Sequence, residues 1–277
     1  MKKIYGIVGY PVKHSLSPAM HNAAFKALGI DAEYKLFEVK PEELKSFLKD
    51  LGKNSIQGLN VTIPHKENVF EFVSLDSDNS YLKQIGAINT IVNKNGKWFG
   101  YNTDIPGFAK HLKENFDPAN KKVAIVGAGG AARAVSFALV KSAAKEISIF
   151  DIDKSKSENI SKMIKSLEAD FPIYVAKSIE DLKINNKDLL INATPLGLKP
   201  ADNLPVEEKM LRRDLFVYDL IYNPAETQLL KLARKVGAKT SNGLGMLLYQ
   251  GMQSFEIWTG SFAPKEVMQK ALLEALQ

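Results

Sequence analysis

Lys122-Val123-Ala124-Ile125-Val126-Gly127-Ala128-Gly129-Gly130-Ala131-Ala132 joins an apolar run to a glycine-rich turn. The run predicts a buried strand, and residues from about 130 to 141 predict a helix. The turn between them matches G-x-G-x-x-A. Gly127 supplies the tight bend, Gly129 lets a pyrophosphate approach the backbone, and Ala132 allows close packing of helix on strand. Around Ala128, Gly130 and Ala131 the helix N-terminus offers N–H groups and the positive end of its dipole. This arrangement predicts a dinucleotide site at residues 127–131.

About 20 residues further on, at the end of the next predicted strand, stands Asp151. A carboxylate there accepts hydrogen bonds from ribose hydroxyls and repels a 2′-phosphate. No arginine lies nearby, and Lys154 and Lys156 are the local cations. The reading is NAD(P), with the site chemistry favouring NAD. Asp151 has a second reading as an N-cap for the following helix, although Asp153 is better placed for that.

Working outward, strands at 146–150, 172–176, 188–192 and 216–220 and a helix at 154–167 predict a doubly wound parallel sheet. This unit begins near Lys121, after the turn Asp117-Pro118-Ala119-Asn120. Upstream the chain also alternates. Ile4 to Gly9 reads as a buried strand. Ser17-Pro18 opens a helix with serine as N-cap, and Gly29 follows its end. A strand from Tyr34 to Val39, a helix from Glu42 to Leu51 and a strand from Gly58 to Ile63 follow, then a helix after Pro64. Ala87 to Asn93 and Lys97 to Tyr101 form a hairpin around Lys94-Asn95-Gly96. After Asn242-Gly243 the pattern is helical, with a break at Pro264. Because a Rossmann-type unit is complete by then, the tail is expected to return to the first domain. The expected fold is therefore α/β with two domains. A substrate and catalytic domain spans 1–104 plus 245–277, and an NAD(P)-binding Rossmann domain spans 105–244.

Composition narrows the function. The 277 residues are 45% hydrophobic and 25% charged, the balance of an ordinary globular enzyme. There is no cysteine, which excludes disulfides and thiolate chemistry. The net charge of +6 comes from scattered lysines rather than a basic stripe, so nucleic acid is not an expected partner. A solvated surface and a mild preference for anionic small ligands both fit. No apolar run reaches the roughly 18 residues of a membrane span, and the N-terminus lacks signal-peptide features. A cytoplasmic monomer or homodimer is expected. His14, His21, His65 and His111 show no metal-ligand spacing, so no metal site is expected, and no Gly-x-Ser-x-Gly elbow supports hydrolysis.

Two segments carry candidate chemistry: Thr62-Ile63-Pro64-His65-Lys66 and Asn102-Thr103-Asp104. Each ends in an ionisable residue where a predicted strand gives way to a helix. A lysine and a carboxylate placed this way form a proton-transfer pair. Beside a hydride carrier, such a pair equips an alcohol or ketone oxidoreductase. As a plain surface residue Lys66 would sit at a helix start, where the dipole disfavours cations. Asp104 also suits an N-cap for a helix from Pro106, and the two roles can coexist.

The chain resembles the shikimate dehydrogenase family, including its quinate/shikimate-using branch. The likeness covers essentially the whole length. It rests on Gly9-Tyr10-Pro11-Val12, His14-Ser15-Leu16-Ser17-Pro18, Met20-His21-Asn22, Gly58-Leu59-Asn60-Val61-Thr62 through Lys66, and Gly86-Ala87-Ile88-Asn89-Thr90. Gly100-Tyr101-Asn102-Thr103-Asp104, Asn192-Ala193-Thr194-Pro195-Leu196-Gly197, Tyr218 to Pro224 and Gly243-Leu244-Gly245-Met246-Leu247 continue it. The resemblance implies an active site between two α/β domains and reversible reduction of 3-dehydroshikimate to shikimate, within chorismate and aromatic amino acid biosynthesis. It implies Lys66 and Asp104 as the catalytic pair. Ser15 and Ser17 correspond to the hydroxyls that hold the substrate carboxylate. Thr62, Asn89, Asp104, Tyr222 and Gln250 surround the ring hydroxyls and carboxylate, and Leu220, Gly243 and Met246 line the nicotinamide pocket. On the residues alone, Ser17 also suits helix capping and Gln250 a polar surface position.

Two departures stand out. Where the family's NADP pattern is Asn-Arg-Thr, this chain reads Asp151-Ile152-Asp153, which leans towards NAD and the quinate/shikimate branch. After Asp104 the family's usual glycine is replaced by Ile105-Pro106, a structural change. A non-catalytic dinucleotide sensor is the reading from another class, and the intact Lys66 and Asp104 oppose it. A folate-linked dehydrogenase draws no support from the Ser15/Ser17 motif.

Overall fold

The computed structural model describes residues 2–276, the side chains at 53 and 54 excepted. The chain divides into two compact units, Met1–Gly107 with Leu248–Gln277, and Phe108–Leu247. No helix among the described residues is long and apolar enough to cross a membrane.

The first unit is built on β1 (Lys3–Gly9), α1 (Ser17–Ala27), β2 (Ala32–Glu38), α2 (Leu44–Lys49), β3 (Ile56–Val61), α3 (Leu82–Ile85), β4 (Thr90–Lys94) and β5 (Lys97–Tyr101). The chain leaves it within α4 (Asp104–Asn115). Its sheet has the order β2-β1-β3-β4-β5, with β1 parallel to β2 and β3 and with β4 antiparallel to both neighbours. The carboxyl ends of β1, β3 and β5 therefore share one edge with the amino end of β4. That single topological fact collects residues distant in sequence.

The second unit is wound from β6 (Lys122–Val126), α5 (Gly130–Lys141), β7 (Glu146–Phe150), α6 (Lys154–Leu167), β8 (Ile173–Val175), β9 (Leu189–Asn192), β10 (Phe216–Asp219), α7 (Gln228–Lys235) and β11 (Lys239–Ser241). All its strand pairs are parallel, in the order β11-β10-β9-β6-β7-β8. The winding reverses between β6 and β9, and at such a point an open α/β sheet binds ligands beyond its carboxyl edge. Buried Ala124, Val126, Leu190, Val217, Leu229 and Leu230 form part of its core. The chain re-enters the first unit within α8 (Leu244–Thr259) and ends in α9 (Lys265–Ala275), which packs on α1.

In the first unit Val8, Leu59, Val61, Val69, Ile88 and Ile91 pack one cluster. Tyr5, Phe25, Phe255 and Trp258 form an aromatic layer, with ring centroids 5.2–5.3 Å apart. Trp258 donates its indole N–H to the carbonyl of Ile91 at 3.0 Å and lies over Gly58. A Cβ at Gly58 would sit 2.4 Å from the Trp258 ring. Gly58→Ala is therefore expected to destabilise this unit by about 1–3 kcal/mol through overpacking. Urea unfolding followed by tryptophan fluorescence tests this, and an unchanged midpoint would contradict it.

Three local expectations are corrected. No α-helix starts directly after Pro64, and the first one downstream is α3. His65 N–H bonds the Thr62 carbonyl at 2.8 Å, and the buried His65 ring donates to the Val39 carbonyl at 2.7 Å. These bonds hold a turn, and the next helical segments are 3-10 turns at Phe70–Phe72 and Ser77–Asn79, ahead of α3. Ser17 is the first residue of α1 and not its N-cap, and its N–H bonds Ser15 Oγ at 3.3 Å. Asp104 lies inside the first turn of α4, while Asn102 Oδ1 accepts the Ile105 N–H at 3.2 Å. The helix α7 and strand β11 were not anticipated. Thr227 caps α7, accepting the Leu230 N–H at 3.4 Å.

Candidate active site

At the shared edge of the first sheet, Lys66 follows β3 and Asp104 follows β5. Lys66 Nζ donates to Asp104 Oδ2 at 2.6 Å, with side-chain exposures of 14% and 8%. The pair is shielded, with a small part of the Lys66 side chain exposed. Asn89, at the amino end of β4, donates Nδ2–H to Asp104 Oδ1 at 2.9 Å. Both carboxylate oxygens are thus engaged, which sets the orientation of Asp104 and, through it, of Lys66.

Asn89 is itself held. Its Oδ1 accepts the Thr103 N–H at 2.7 Å and the Thr90 hydroxyl at 3.1 Å. Thr90 exchanges a hydrogen bond with Ser254 at 2.8 Å, and Asn60 Nδ2 donates to Ser254 Oγ at 2.9 Å. Tyr34 donates its hydroxyl to Asn60 Oδ1 at 2.7 Å. Asn60, Asn89, Thr90, Thr103, Asp104 and Ser254 are all buried. A buried polar chain satisfied at each member rigidifies the geometry at its end.

Gln250 belongs to this group and not to the surface. It is buried on α8, with Oε1 3.4 Å from both Asn89 Nδ2 and Thr103 Oγ1. Gly107 permits this approach, since a Cβ there would lie 2.7 Å from the Gln250 backbone nitrogen. Ser254 sits one helical turn beyond Gln250 on the same face. That i, i+4 spacing was the available signal for it. Thr90, Thr103 and Asn60 stood inside quoted motifs without a role.

Ser15 and Ser17 stand on the segment leaving β1, and Thr62 on the segment leaving β3, at the same edge. Ser17 is buried and Ser15 half-buried. The edge therefore combines hydroxyls, amides and one ammonium–carboxylate pair, the donor set for a small polyhydroxylated anion.

In the second unit Gly127 has φ +98°, and a Cβ there would meet the Ala193 backbone at 2.8 Å. Where Gly129 lacks a side chain there is open space, the room a pyrophosphate needs. The N-cap Gly129 offers no side chain to α5, whose first-turn N–H groups have no partner within the helix. These residues fit a dinucleotide. Asp151 Oδ2 accepts the Ala128 N–H at 2.7 Å, and its Oδ1 accepts the Asp153 N–H at 2.9 Å. Asp153, not Asp151, caps α6, accepting the Ser155 N–H at 3.1 Å. Ile152 is almost fully exposed. Leu220 N–H bonds the Asn192 carbonyl at 2.9 Å, and Gly243 N–H bonds the Ile221 carbonyl at 3.0 Å. Met246 is buried in the first turn of α8. Burial raises the Tyr222 phenol above its ordinary value, so it stays a hydroxyl donor. Among the described residues no group of histidines and carboxylates could hold a metal ion.

A doubly wound sheet with a phosphate-fitting glycine loop in one unit, and a braced lysine–aspartate pair in the other, define the two-unit α/β dehydrogenases. Within that class the match is specific. The model of the shikimate dehydrogenase substrate binding domain matches residues 7–91, and that of the shikimate 5'-dehydrogenase C-terminal domain matches residues 243–273. A shikimate dehydrogenase (NADP(+)) of Methanopyrus kandleri is 44% identical, over 99% of this chain and 96% of its own. A solved shikimate dehydrogenase in complex with NADP+ superposes with a TM-score of 0.91 at 41% identity, covering 100% of this chain and 96% of that one. Shikimate 5-dehydrogenase from Listeria monocytogenes, in complex with shikimate and NAD, gives a TM-score of 0.87 at 36% identity, covering 98% and 96%. The chain belongs to the shikimate dehydrogenase family.

Proposed function

We infer that this protein catalyses the reversible nicotinamide-dinucleotide-dependent reduction of 3-dehydroshikimate to shikimate. The observation that carries this reading is the Lys66–Asp104 pair at 2.6 Å, braced by Asn89 and Gln250. When bound, the nicotinamide supplies the hydride for reduction and accepts it for oxidation. Lys66 donates a proton to the carbonyl oxygen as it becomes an alkoxide, and takes it back in the reverse direction. Asp104 orients Lys66 and accepts a substrate hydroxyl, and Asn89, Thr62, Tyr222 and Gln250 position the ring. Ser15 and Ser17 hold the carboxylate by hydroxyl donation. Steady-state rates with shikimate and quinate test the substrate. Quinate turnover equal to that of shikimate would replace the strict assignment by the quinate/shikimate one.

The residues 127–131 take the pyrophosphate, and Asp151 takes the adenosine ribose. Each Asp151 oxygen keeps a lone pair beyond its backbone bond, enough to accept a ribose hydroxyl. A 2′-phosphate in that place would face a like charge, with the aliphatic Ile152 alongside and no guanidinium from its own loop. NAD is therefore expected to exceed NADP in kcat/KM, in contrast with the NADP(+)-named relatives. Asp151→Asn is expected to move the ratio towards NADP by about tenfold, the worth of removing one close like charge. Strong NADP preference in the wild type would refute this assignment.

A further inference from the structure

A buried network in the second unit has no part in the reading above. Asp219 ends β10, is fully buried, and stands in register with Asn192 at the end of β9. Its Oδ1 accepts Asn192 Nδ2–H at 3.0 Å and the Ile221 N–H at 3.1 Å. Its Oδ2 accepts the Thr227 hydroxyl at 2.6 Å. Asn192 is committed in turn. Its Nδ2 also donates to the Leu196 carbonyl at 3.1 Å, and its Oδ1 accepts the Thr194 N–H at 3.1 Å and hydroxyl at 2.7 Å. Thr194 Oγ1 accepts the Leu196 N–H at 3.1 Å.

Asp219 thus ties together three segments that leave the carboxyl edge of the sheet: residues 192–197 after β9, residues 219–222 after β10, and the N-cap of α7. Asn192 pairs with Val126 of β6, directly before the glycine loop. Gly243 is bonded to the Ile221 carbonyl, one peptide from the Asp219-held N–H. The network therefore spans the switch point of the winding, where a dinucleotide lies.

We propose that Asp219 is a positioning residue for the nicotinamide end of the dinucleotide, acting through Asn192, Ile221 and Thr227 on the segments that carry Leu220, Tyr222 and Gly243. The inference rests on the reading of the second unit as the dinucleotide domain. A carboxylate accepts from all three donors at once. An amide in the same place could keep the two N–H donors on its oxygen, but its N–H would turn the Thr227 hydroxyl into an acceptor and leave that hydroxyl's proton without Asp219. Burial raises the Asp219 carboxyl while its three donors oppose that shift, and no cation shares the site among the hydrogen bonds and ion pairs of the described residues. A group so costly to bury is retained because the loops need its acceptors.

The test is steady-state kinetics and dinucleotide titration on the full chain. Asp219→Asn is expected to lower kcat by roughly 10- to 100-fold, as loss of reacting geometry does, and to raise the dinucleotide KM. The KM for 3-dehydroshikimate should rise less than that for the dinucleotide, because of the residues assigned to the substrate only Tyr222 lies on these segments and the others lie in the first unit. Thr227→Val should reproduce the pattern, and Thr227→Ser, which keeps the donor, should recover what valine loses. Should Asp219→Asn fail to fold, the valine and serine pair decides alone. Lost kcat in proportion to the misfolded fraction, with the dinucleotide KM unchanged, would mean a merely structural role and overturn the proposal. A wild type that binds neither NAD(H) nor NADP(H) would overturn the functional reading and this proposal with it.

Discussion

Lys66→Met is expected to lower kcat by about 10²–10⁴-fold in both directions, the usual worth of a positioned acid–base group. Methionine keeps most of the aliphatic stem and removes the proton. Lys66→Arg should fail nearly as badly. A guanidinium keeps the charge beside Asp104 but does not deprotonate, so it cannot accept the proton when shikimate is oxidised. Dinucleotide binding should persist in both variants, because every residue assigned to it lies in the second unit, whereas Lys66 belongs to the first. Titration with the dinucleotide and stopped-flow turnover separate the two readouts. A Lys66→Met enzyme within a few-fold of wild-type kcat would end the proposed mechanism. Loss of dinucleotide binding as well would point to a folding defect.

Lowering the pH from 7 to 5 is expected to cost about 2 kcal/mol of stability through His21 alone. His21 is fully buried on α1, its ring stacked on Tyr34 with centroids 4.4 Å apart and planes within 8°. Trp258 lies 5.2 Å away, and neither ring nitrogen has a hydrogen-bond partner. Nothing there stabilises an imidazolium, so burial pushes His21 from 6.5 down to about 3. The sign follows directly. Between those two values the unfolded chain binds a proton that the folded chain refuses. The contribution is complete above 6.5 and is lost as the pH falls, by at most about 1.4 kcal/mol per unit. Both tryptophans, Trp98 and Trp258, belong to the first unit, so their fluorescence in urea titrations reports on it. His21→Phe keeps a stacking ring and removes the proton site. Its stability should change less between pH 7 and pH 5 than that of the wild type, by about the same 2 kcal/mol. Equal pH dependence in the two proteins would contradict the assignment.

Much of the architecture was legible in the chain because it is written in short-range periodicity. The run Lys122–Val126 and the glycines after it specify strand, turn and helix through contacts a few residues apart. The same holds for Asp153 as a helix cap. Where a tertiary bond competes with a local preference, the local reading failed. The turn after Pro64 exists because His65 reaches the Val39 carbonyl, 26 residues away. Two other misses were local choices between neighbours: Asn102 and not Asp104 meets the Ile105 N–H, and Ser17 starts α1 without capping it. Short α7 went unread because its eight residues give periodicity little length on which to act.

For the candidate site, the residue types were visible and their partnerships were not. Lys66 and Asp104 are 38 positions apart, and Asn89 and Gln250 are 161 apart. Motif placement singled out Lys66 and Asp104, the family resemblance added Asn89 and Gln250, and no local rule shows that they touch. They meet because β4 runs antiparallel between β3 and β5, which brings three strand ends and one strand start to a single edge. Asn60, Ser254, His21 and Asp219 look like ordinary polar residues in the sequence. Their importance comes from lying away from water, where an amide or carboxylate must find partners and an imidazole without them stays neutral. By itself the sequence determined two α/β units, the glycine turn after β6 and the two residues proposed as the proton-transfer pair, since periodicity and turn chemistry are local. Only the tertiary structure decided which polar groups are buried and what each one bonds, because desolvation and hydrogen-bond satisfaction depend on neighbours that are distant along the chain.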